Sequence, residues 1–284
     1  MKPYLALIAS VLFLVSSCAT PDLPPAISSD GSHIAYELHG DGESTVILVH
    51  GWTNNRTFWD PHLSVLSQDF RVATLDLAGF GESDRDRASW TMEGFGEDVA
   101  SVIDALGVES VILVGFSMGG GAVLEAAAAD PDRVAGVVIV DVFHDVNQKY
   151  PEEEVAGFVA QERELWHDRE TLRLDFSPDA PDSLIQRYID KTPPVPPEYW
   201  FEIIRSYFAW RNDDLVPTIE EVAAPIAAIN GEYRTTDVEA FRSHAPSFEM
   251  KTIPGVGHLG VIWMEPDLFD QQLRELAQSM VSGG

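Results

Sequence analysis

The chain has 284 residues, of which 45% are hydrophobic, and its 46 acidic and 18 basic residues give a formal net charge of −28 at pH 7. So negative a protein surface argues against binding to nucleic acid or to anionic lipid headgroups, because both carry negative charge themselves. A chain of this length and hydrophobic content can bury its own core, so we expect one globular domain without nucleic-acid partners.

The first segment has the pattern of an export signal. Lys2 gives it a positive start, and a short apolar run over about residues 4–15 follows, too short to span a membrane as a helix. The run ends in V-S-S-C, which resembles a bacterial lipoprotein box and ends at the single cysteine, Cys18. We predict a signal peptide over residues 1–17, a linker over 18–27, and an exported protein anchored to a membrane, facing the periplasm or cell exterior, by lipid on Cys18. The alternative is an ordinary signal peptide with an incidental cysteine.

From residue 28 onward, short apolar runs alternate with amphipathic segments. This alternation predicts an α/β domain over residues 28–284 with a mostly parallel sheet. The predicted strands lie at about 33–38, 45–49, 71–75, 111–115, 135–140, 226–230 and 248–253, and the predicted helices at about 60–67, 91–106, 118–129 and 267–280.

The second predicted strand ends in His50-Gly51-Trp52. Its continuous apolar run is typical of a central parallel strand that is buried on both faces. The loop after such a strand can direct a backbone N–H at a negatively charged reaction intermediate, and we assign this role to the Trp52 amide. We expect His50 to brace the loop rather than to transfer protons.

The most informative stretch is the predicted strand at 111–115 with the motif G-F-S-M-G that completes it. A strand that turns at once into a helix strains the backbone of Ser117 and brings Gly115 and Gly119 too close to neighbouring strands for larger side chains. The following helix directs its unpaired amides at charge that forms on an attacked carbonyl, and we assign the Met118 N–H as an oxyanion donor. We therefore predict that Ser117 is a nucleophile; the alternative is a serine that only caps the helix.

A glycine-rich loop that ends in His258 follows the last predicted strand. An imidazole at the end of a parallel strand can reach a serine at the end of an earlier strand. We predict that His258 is the general base that takes the proton of Ser117 and returns it to the leaving group.

Four motifs together resemble the α/β-hydrolase superfamily of esterases, lipases and C–C hydrolases. They are H-G-W at 50–52, L-D-L-A-G-F-G-E-S-D at 75–84, G-F-S-M-G at 115–119 and G-V-G-H at 255–258, in the order in which the family has them. The resemblance implies an α/β-hydrolase fold with a mostly parallel eight-stranded sheet, helices on both faces and a helical cap inserted over the active site. It implies neither a metal nor an organic cofactor.

We place the cap insertion at about 143–216, where strand–helix alternation gives way to charged amphipathic segments divided by proline-rich turns. Aromatic residues that line a cap would suit an apolar acyl or aromatic substrate, although each could equally pack the cap onto the main domain. Those residues are Trp166, Trp200, Phe201, Tyr207, Phe208 and Trp210. We assign none of them singly to the substrate.

The acid of the predicted catalytic triad departs from the family pattern, because Arg234 stands at the usual position. A minority of the fold, including haloalkane dehalogenases, carries the acid one strand earlier, where this chain has Asp141. We predict Asp141 as the acid, since rigid backbone must hold it to fix the tautomer of His258. The alternatives are Glu232 or Asp237, with Asp141 serving only as a structural cap of its strand.

These residues predict a serine hydrolase that cleaves a small carboxylic ester through an acyl-enzyme intermediate. Its triad would be Ser117, His258 and Asp141, and the amides of Trp52 and Met118 would form its oxyanion hole. Haloalkane dehalogenase and epoxide hydrolase chemistry is disfavoured, since those relatives have an aspartate where Ser117 stands. The alternatives are a C–C bond hydrolase or an acyltransferase with the same triad or, from another class, a catalytically silent, lipid-tethered binding protein.

Overall fold

The computed structural model describes residues 23–282 of the chain. The predicted signal peptide, Cys18 and the first part of the linker lie outside the described residues. Among the described residues, no helix is both long and apolar enough to cross a membrane.

A seven-stranded sheet forms the centre of residues 23–282, beside a two-stranded ribbon of β1 (Ala26–Ile27) and β2 (His33–Ile34). The spatial order of the large sheet is β3 (Tyr36–His39), β5 (Phe70–Leu75), β4 (Ser44–Val49), β6 (Val111–Phe116), β7 (Val134–Val140), β8 (Ile226–Gly231) and β9 (Glu249–Ile253). β3 is antiparallel to β5, and all the other neighbours are parallel. The carboxyl ends of β4 and β6 to β9 therefore lie at one edge of the sheet.

Helices cover both faces of the sheet. They are α1 (Asp60–Leu66), α2 (Met92–Leu106), α3 (Met118–Ala129), α4 (Glu152–Glu164), α5 (Arg169–Phe176), α6 (Asp182–Ile189), α7 (Glu198–Asp213), α8 (Leu215–Glu221), α9 (Val238–His244), α10 (Gly260–Trp263) and α11 (Pro266–Ser282), with a short 3-10 helix at Arg56–Trp59. In β6, Val111 and Leu113 pack with α2 and α3, whereas Ile112 and Val114 pack with α1 and α11. Because successive side chains of a strand point to opposite faces, a strand buried on both faces needs the continuous apolar run seen here.

The mostly parallel α/β architecture agrees with the prediction, and the large sheet has seven strands within the described residues. The predicted strand at 33–38 is interrupted at Ala35. Its N–H donates to Ser83 Oγ at 2.8 Å, and its carbonyl accepts from the Asp76 N–H at 2.9 Å. The residues before this break pair with 26–27 in the small ribbon instead of continuing the large sheet.

Four helices, α4 to α7, lie between β7 and the returning helix α8, within the stretch where the sequence predicts a cap. Pro151, Pro181 and Pro197 stand immediately before α4, α6 and α7, where the fixed φ of proline suits a helix start. α5 begins with a side-chain cap, since Asp168 accepts from the Thr171 N–H at 2.9 Å. The boundaries of the cap as a domain stay a prediction.

Candidate active site

Ser117 stands at the corner between β6 and α3 with φ = 52° and ψ = −121°. A non-glycine residue with positive φ is strained, and the surrounding structure must hold it there. The Ser117 N–H donates to the carbonyl of Val140 at 3.0 Å, and the Ser117 carbonyl accepts from the Gly120 N–H at 2.9 Å. The chain thus turns sharply from strand to helix at the position that the G-F-S-M-G motif predicts.

The glycines on each side of Ser117 make this corner possible. A Cβ atom on Gly119 would lie 2.5 Å from the carbonyl oxygen of His50, and one on Gly115 would collide with the carbonyl of Gly119. Both clashes involve backbone atoms, which cannot move aside as a flexible side chain can. The close approach that the sequence predicts therefore requires glycine at both positions.

The loop after β4 passes beside Ser117, since a Cβ on Gly51 would lie 3.0 Å from the Cβ of Ser117. Trp52 follows Gly51 and lines the same cavity as Ser117, and Met118 is the first residue of α3. Within residues 23–282, neither the Trp52 nor the Met118 N–H donates to a backbone carbonyl outside its own element. Neither amide is therefore used by a backbone hydrogen bond between elements of the described chain.

His258 lies against Asp141, with 2.7 Å between His258 Nδ1 and Asp141 Oδ2. The end of β8 holds the aspartate in place, because the Gly231 N–H donates to Asp141 Oδ1 at 2.8 Å and the Asp141 N–H donates to Asn230 Oδ1 at 2.9 Å. The ring of Phe116 stacks on the imidazole of His258 with 4.7 Å between ring centres. Backbone and core groups thus fix both members of the pair.

The Asp141 side chain is almost completely buried, at 1% exposed. Burial by itself raises the pKa of a carboxyl group, but His144 and His258 stabilise its ionised form, and the pKa of Asp141 falls well below its usual range. His144 Nε2 lies 3.8 Å from Asp141 Oδ1, and its Nδ1 lies 3.0 Å from Thr236 Oγ1. Sequence reasoning missed His144, whose one available signal is its position three residues after Asp141.

The alternative acids lie elsewhere. Glu232 Oε2 accepts from the Gly255 N–H at 2.8 Å, and Asp237 Oδ1 accepts from the Ala240 N–H at 2.9 Å, which caps α9. Among the described hydrogen bonds, neither carboxylate reaches the histidine of the G-V-G-H motif. The structure thus brings the strand-end aspartate to that histidine, whereas one alternative accepts from the loop after β9 and the other caps α9.

His50 is fully buried and links two loops. Its Nε2 accepts from the Leu77 N–H at 3.0 Å, so its Nδ1 carries the proton and donates to the Gly51 carbonyl at 2.8 Å. Burial lowers the pKa of His50, which keeps the ring neutral. This is the bracing role that the sequence predicts.

A cavity of about 660 Å³ lies between the strand ends and the helices α4 to α7. Of the six aromatic residues predicted to lie in the cap, Trp166, Tyr207 and Phe208 line this cavity. Trp200 and Trp210 instead donate their indole N–H groups to the main domain, at 3.1 and 2.6 Å. The aromatic residues therefore divide between lining the cavity and packing the cap.

The cavity wall also carries charged groups that sequence reasoning missed. They are Glu162, Asp175 and Arg211, and Arg234 of the loop after β8 lines the cavity beside them. Burial, reinforced by the neighbouring charge of Asp175, raises the pKa of Glu162 to about 7. Burial likewise raises the pKa of Asp175. In the sequence, Glu162, Asp175 and Arg211 are indistinguishable from the exposed charges of an amphipathic helix.

Comparisons with known proteins agree with the motifs. A family model described as the α/β hydrolase fold matches residues 44–183. The dihydrolipoyllysine-residue acetyltransferase component of the acetoin cleaving system of Cupriavidus necator is 36% identical over 141 residues, which are 48% of this chain and 37% of that protein. Matches to curated relatives span 35% to 44% of those relatives' own lengths.

Solved structures resemble almost the whole chain. A thermophilic esterase from Thermogutta terrifontis has a TM-score of 0.74 and 25% identity, over 90% of this chain and 98% of that one. An esterase from Exiguobacterium antarcticum has a TM-score of 0.77 over 90% and 99% of the two chains, and at 21% identity this likeness shows the fold alone. The sheet, the family model and the four motifs in register agree, and the chain has the α/β-hydrolase fold, as its sequence predicts.

Proposed function

We propose that the protein is a serine hydrolase that cleaves carboxylic esters through an acyl-enzyme intermediate. The observation that carries the proposal is that one cavity is lined by the strained Ser117 and by the hydrogen-bonded pair of Asp141 and His258. The likeness to an esterase over 90% of the chain supports the choice of an ester substrate.

In the proposed mechanism, Ser117 Oγ attacks the carbonyl carbon of the ester and passes its proton to Nε2 of His258. Asp141 accepts the Nδ1–H of His258, which leaves the Nε2 lone pair free and stabilises the imidazolium that forms. His258 then protonates the leaving alcohol, and the acyl group stays on Ser117. A water molecule, deprotonated by His258 in the same way, releases the acid.

The amides of Trp52 and Met118 would bind the oxygen that becomes negative during both steps. The positive end of the α3 dipole points at the same oxygen, because α3 begins directly after Ser117. Donors that folding has already placed need no rearrangement during the reaction, and the loss of one typically costs about 3 kcal/mol of barrier lowering.

Turnover of 4-nitrophenyl acetate and butyrate tests the proposal. We expect the wild type to hydrolyse both esters and Ser117→Ala to lose at least about 10⁴-fold in kcat, because nothing else in the site forms the acyl-enzyme. Ser243→Ala, an exposed serine of α9, is the matched control and should act as the wild type. Wild-type protein that neither turns over these esters nor reacts with a fluorophosphonate would instead be the catalytically silent binding protein.

We also propose that the protein is exported and anchored to a membrane by lipid on Cys18. The supporting features are Lys2, the apolar run over about residues 4–15 and the V-S-S-C sequence. Mass spectrometry of protein from the native host should find an N-terminal Cys18 that carries diacylglycerol, and Cys18→Ala should release the protein from membranes. An unmodified thiol at Cys18 would contradict the anchor.

A further inference from the structure

Arg211, near the end of α7, lines the cavity although it is only 7% exposed. A buried guanidinium loses the hydration of its charge, and this loss is offset only when the group is paired with a negative charge. Within residues 23–282, no carboxylate oxygen lies within the 4.0 Å of Arg211 that defines an ion pair.

Two other arginines with buried side chains do have such partners. Arg56 is 13% exposed and pairs with Asp76, and Arg87 is 4% exposed and pairs with Asp98; both aspartates are fully buried. This chain therefore supplies a carboxylate where it buries a guanidinium for structural reasons. Arg211 differs from both, because it is buried against the cavity and has no anion beside it.

Neutral groups hold the Arg211 side chain in place. Its two terminal nitrogens donate to the Tyr150 hydroxyl at 2.8 Å and to the Asp145 carbonyl at 3.2 Å, and the ring of Phe143 lies 5.5 Å from the guanidinium carbon. The Nε atom of Arg211 is buried and has no hydrogen-bond partner in the part of the chain described. The C-terminal end of α7 adds only a partial negative charge. The group is thus positioned by its contacts but not neutralised by them.

Arg211 shares the cavity wall with several carboxylates and with one other arginine, Arg234, which is exposed. Glu162 of α4 and Asp175 of α5 line the cavity, and neither forms an ion pair with Arg211. When they are ionised, these carboxylates repel an anion from their part of the cavity. An anionic group of a ligand is therefore favoured beside the arginines, and Arg211 is the buried one of the two that line the cavity.

We infer that Arg211 binds a carboxylate of the substrate, so that the ester cleaved at Ser117 carries an acidic group away from the scissile bond. The inference rests on the proposed function, and it adds one acidic group to the predicted apolar acyl or aromatic ester. A planar guanidinium with unused N–H groups is suited to a carboxylate, which can accept two hydrogen bonds from it. A cavity of about 660 Å³ has room for a half-ester of a short dicarboxylic acid.

The test compares two esters of the same length, mono-4-nitrophenyl glutarate and 4-nitrophenyl valerate, by the ratio of their kcat/KM values. We expect the wild type to favour the glutarate ester, and Arg211→Gln to lower the ratio by about 10- to 100-fold, mainly through the KM of the glutarate ester. Arg205→Gln makes the same change at an exposed position of α7 and should leave the ratio unchanged. An unchanged ratio in Arg211→Gln would overturn the inference.

Two further measurements separate this inference from the proposed function and from misfolding. Calorimetry should show that glutarate binds to the wild type and does not bind to Arg211→Gln. If this result is found but the wild type hydrolyses neither ester, the acidic subsite is supported and ester hydrolysis is rejected. If the wild type hydrolyses the valerate ester but both proteins bind glutarate equally, the subsite is rejected and the proposed ester hydrolysis stands. Should Arg211→Gln fail to fold, Arg211→Lys replaces it, because lysine keeps the charge but lacks the planar guanidinium. A folded Arg211→Lys with an unchanged ratio of the two kcat/KM values also overturns the inference.

Discussion

The strand ends of β6 to β8 and the cap helices α4 to α7 face the same cavity but are built differently. At the strand ends, backbone hydrogen bonds and glycine contacts fix each candidate catalytic group, and the carboxylate of Asp141 is almost fully buried. On the cap wall, side chains such as Glu162 and Asp175 are half-buried and lie on short helices that begin at prolines or side-chain caps. The first region fixes its candidate catalytic groups through backbone contacts, whereas side chains of the second region can change without disturbing those groups.

The strand ends should therefore determine the reaction, and the cap wall should determine which substrate is preferred. Substitutions at the strand ends should reduce turnover or folding by large factors. Substitutions on the cap wall should change substrate preference or pH dependence by modest factors. Three predictions test this division, beginning with the largest effect.

Asp141→Asn should lower kcat by about 10³- to 10⁴-fold, because an amide no longer selects the His258 tautomer that accepts the Ser117 proton. Steady-state turnover of 4-nitrophenyl butyrate measures the effect. Asp237→Asn and Glu232→Gln are the matched controls and should stay within a few fold of the wild type. If kcat falls strongly in either control but stays near normal in Asp141→Asn, the residue changed in that control is the acid of the triad.

Gly119→Ala should lower the free energy of unfolding by about 2–4 kcal/mol, because its Cβ would lie 2.5 Å from the His50 carbonyl oxygen. Gly157→Ala, at an open position of α4 with no atom within 4 Å of the added Cβ, should instead raise it by about 0.5–1 kcal/mol. Urea denaturation of both variants measures the contrast. Equal tolerance of the two alanines would show that the corner is less tightly packed than its geometry indicates.

Glu162→Gln should change the pH dependence of stability. Burial raises the pKa of Glu162 from its ordinary value of 4.5 to about 7, so the folded protein keeps a proton that the unfolded chain loses between these values. The contribution of Glu162 to the stability of the wild type therefore falls as the pH rises from 4.5 to about 7. Glu162→Gln should be more stable than the wild type at pH 8 by about 1 kcal/mol, after allowance for solvent screening, and nearly equal to it at pH 4.

Thermal denaturation at both pH values measures this difference, with Glu164→Gln, an exposed residue of the same helix, as the control. If the difference in stability between Glu162→Gln and the wild type does not change with pH, Glu162 does not keep a proton in the folded protein. This result would also show that the cap wall acts as a purely steric boundary.

The strand-end region could be predicted from the sequence because local patterns determine it. The G-F-S-M-G motif specifies a corner that only glycines permit, and the continuous apolar runs specify strands buried on both faces. Asp141 needed more than local pattern, since its pairing with His258 depends on the order of strands in the sheet.

Other features could not be predicted, because they depend on contacts between distant segments. The break at Ala35 arises from hydrogen bonds to Asp76 and Ser83, about forty or more residues away. Arg211 and Glu162 appear in the sequence as ordinary charges of amphipathic helices. Their burial follows from how α4 and α7 pack over the cavity, which no periodicity of either helix encodes.

Reaction with a fluorophosphonate, followed by peptide mass spectrometry, distinguishes an activated Ser117 from an inert one, because this reagent modifies a serine only where a base and an oxyanion site activate it. We expect a single modification on Ser117 that is absent in Ser117→Ala and strongly slowed in His258→Gln. Folded wild-type protein that stays unmodified, or that is modified at another serine, would contradict the proposed role of Ser117.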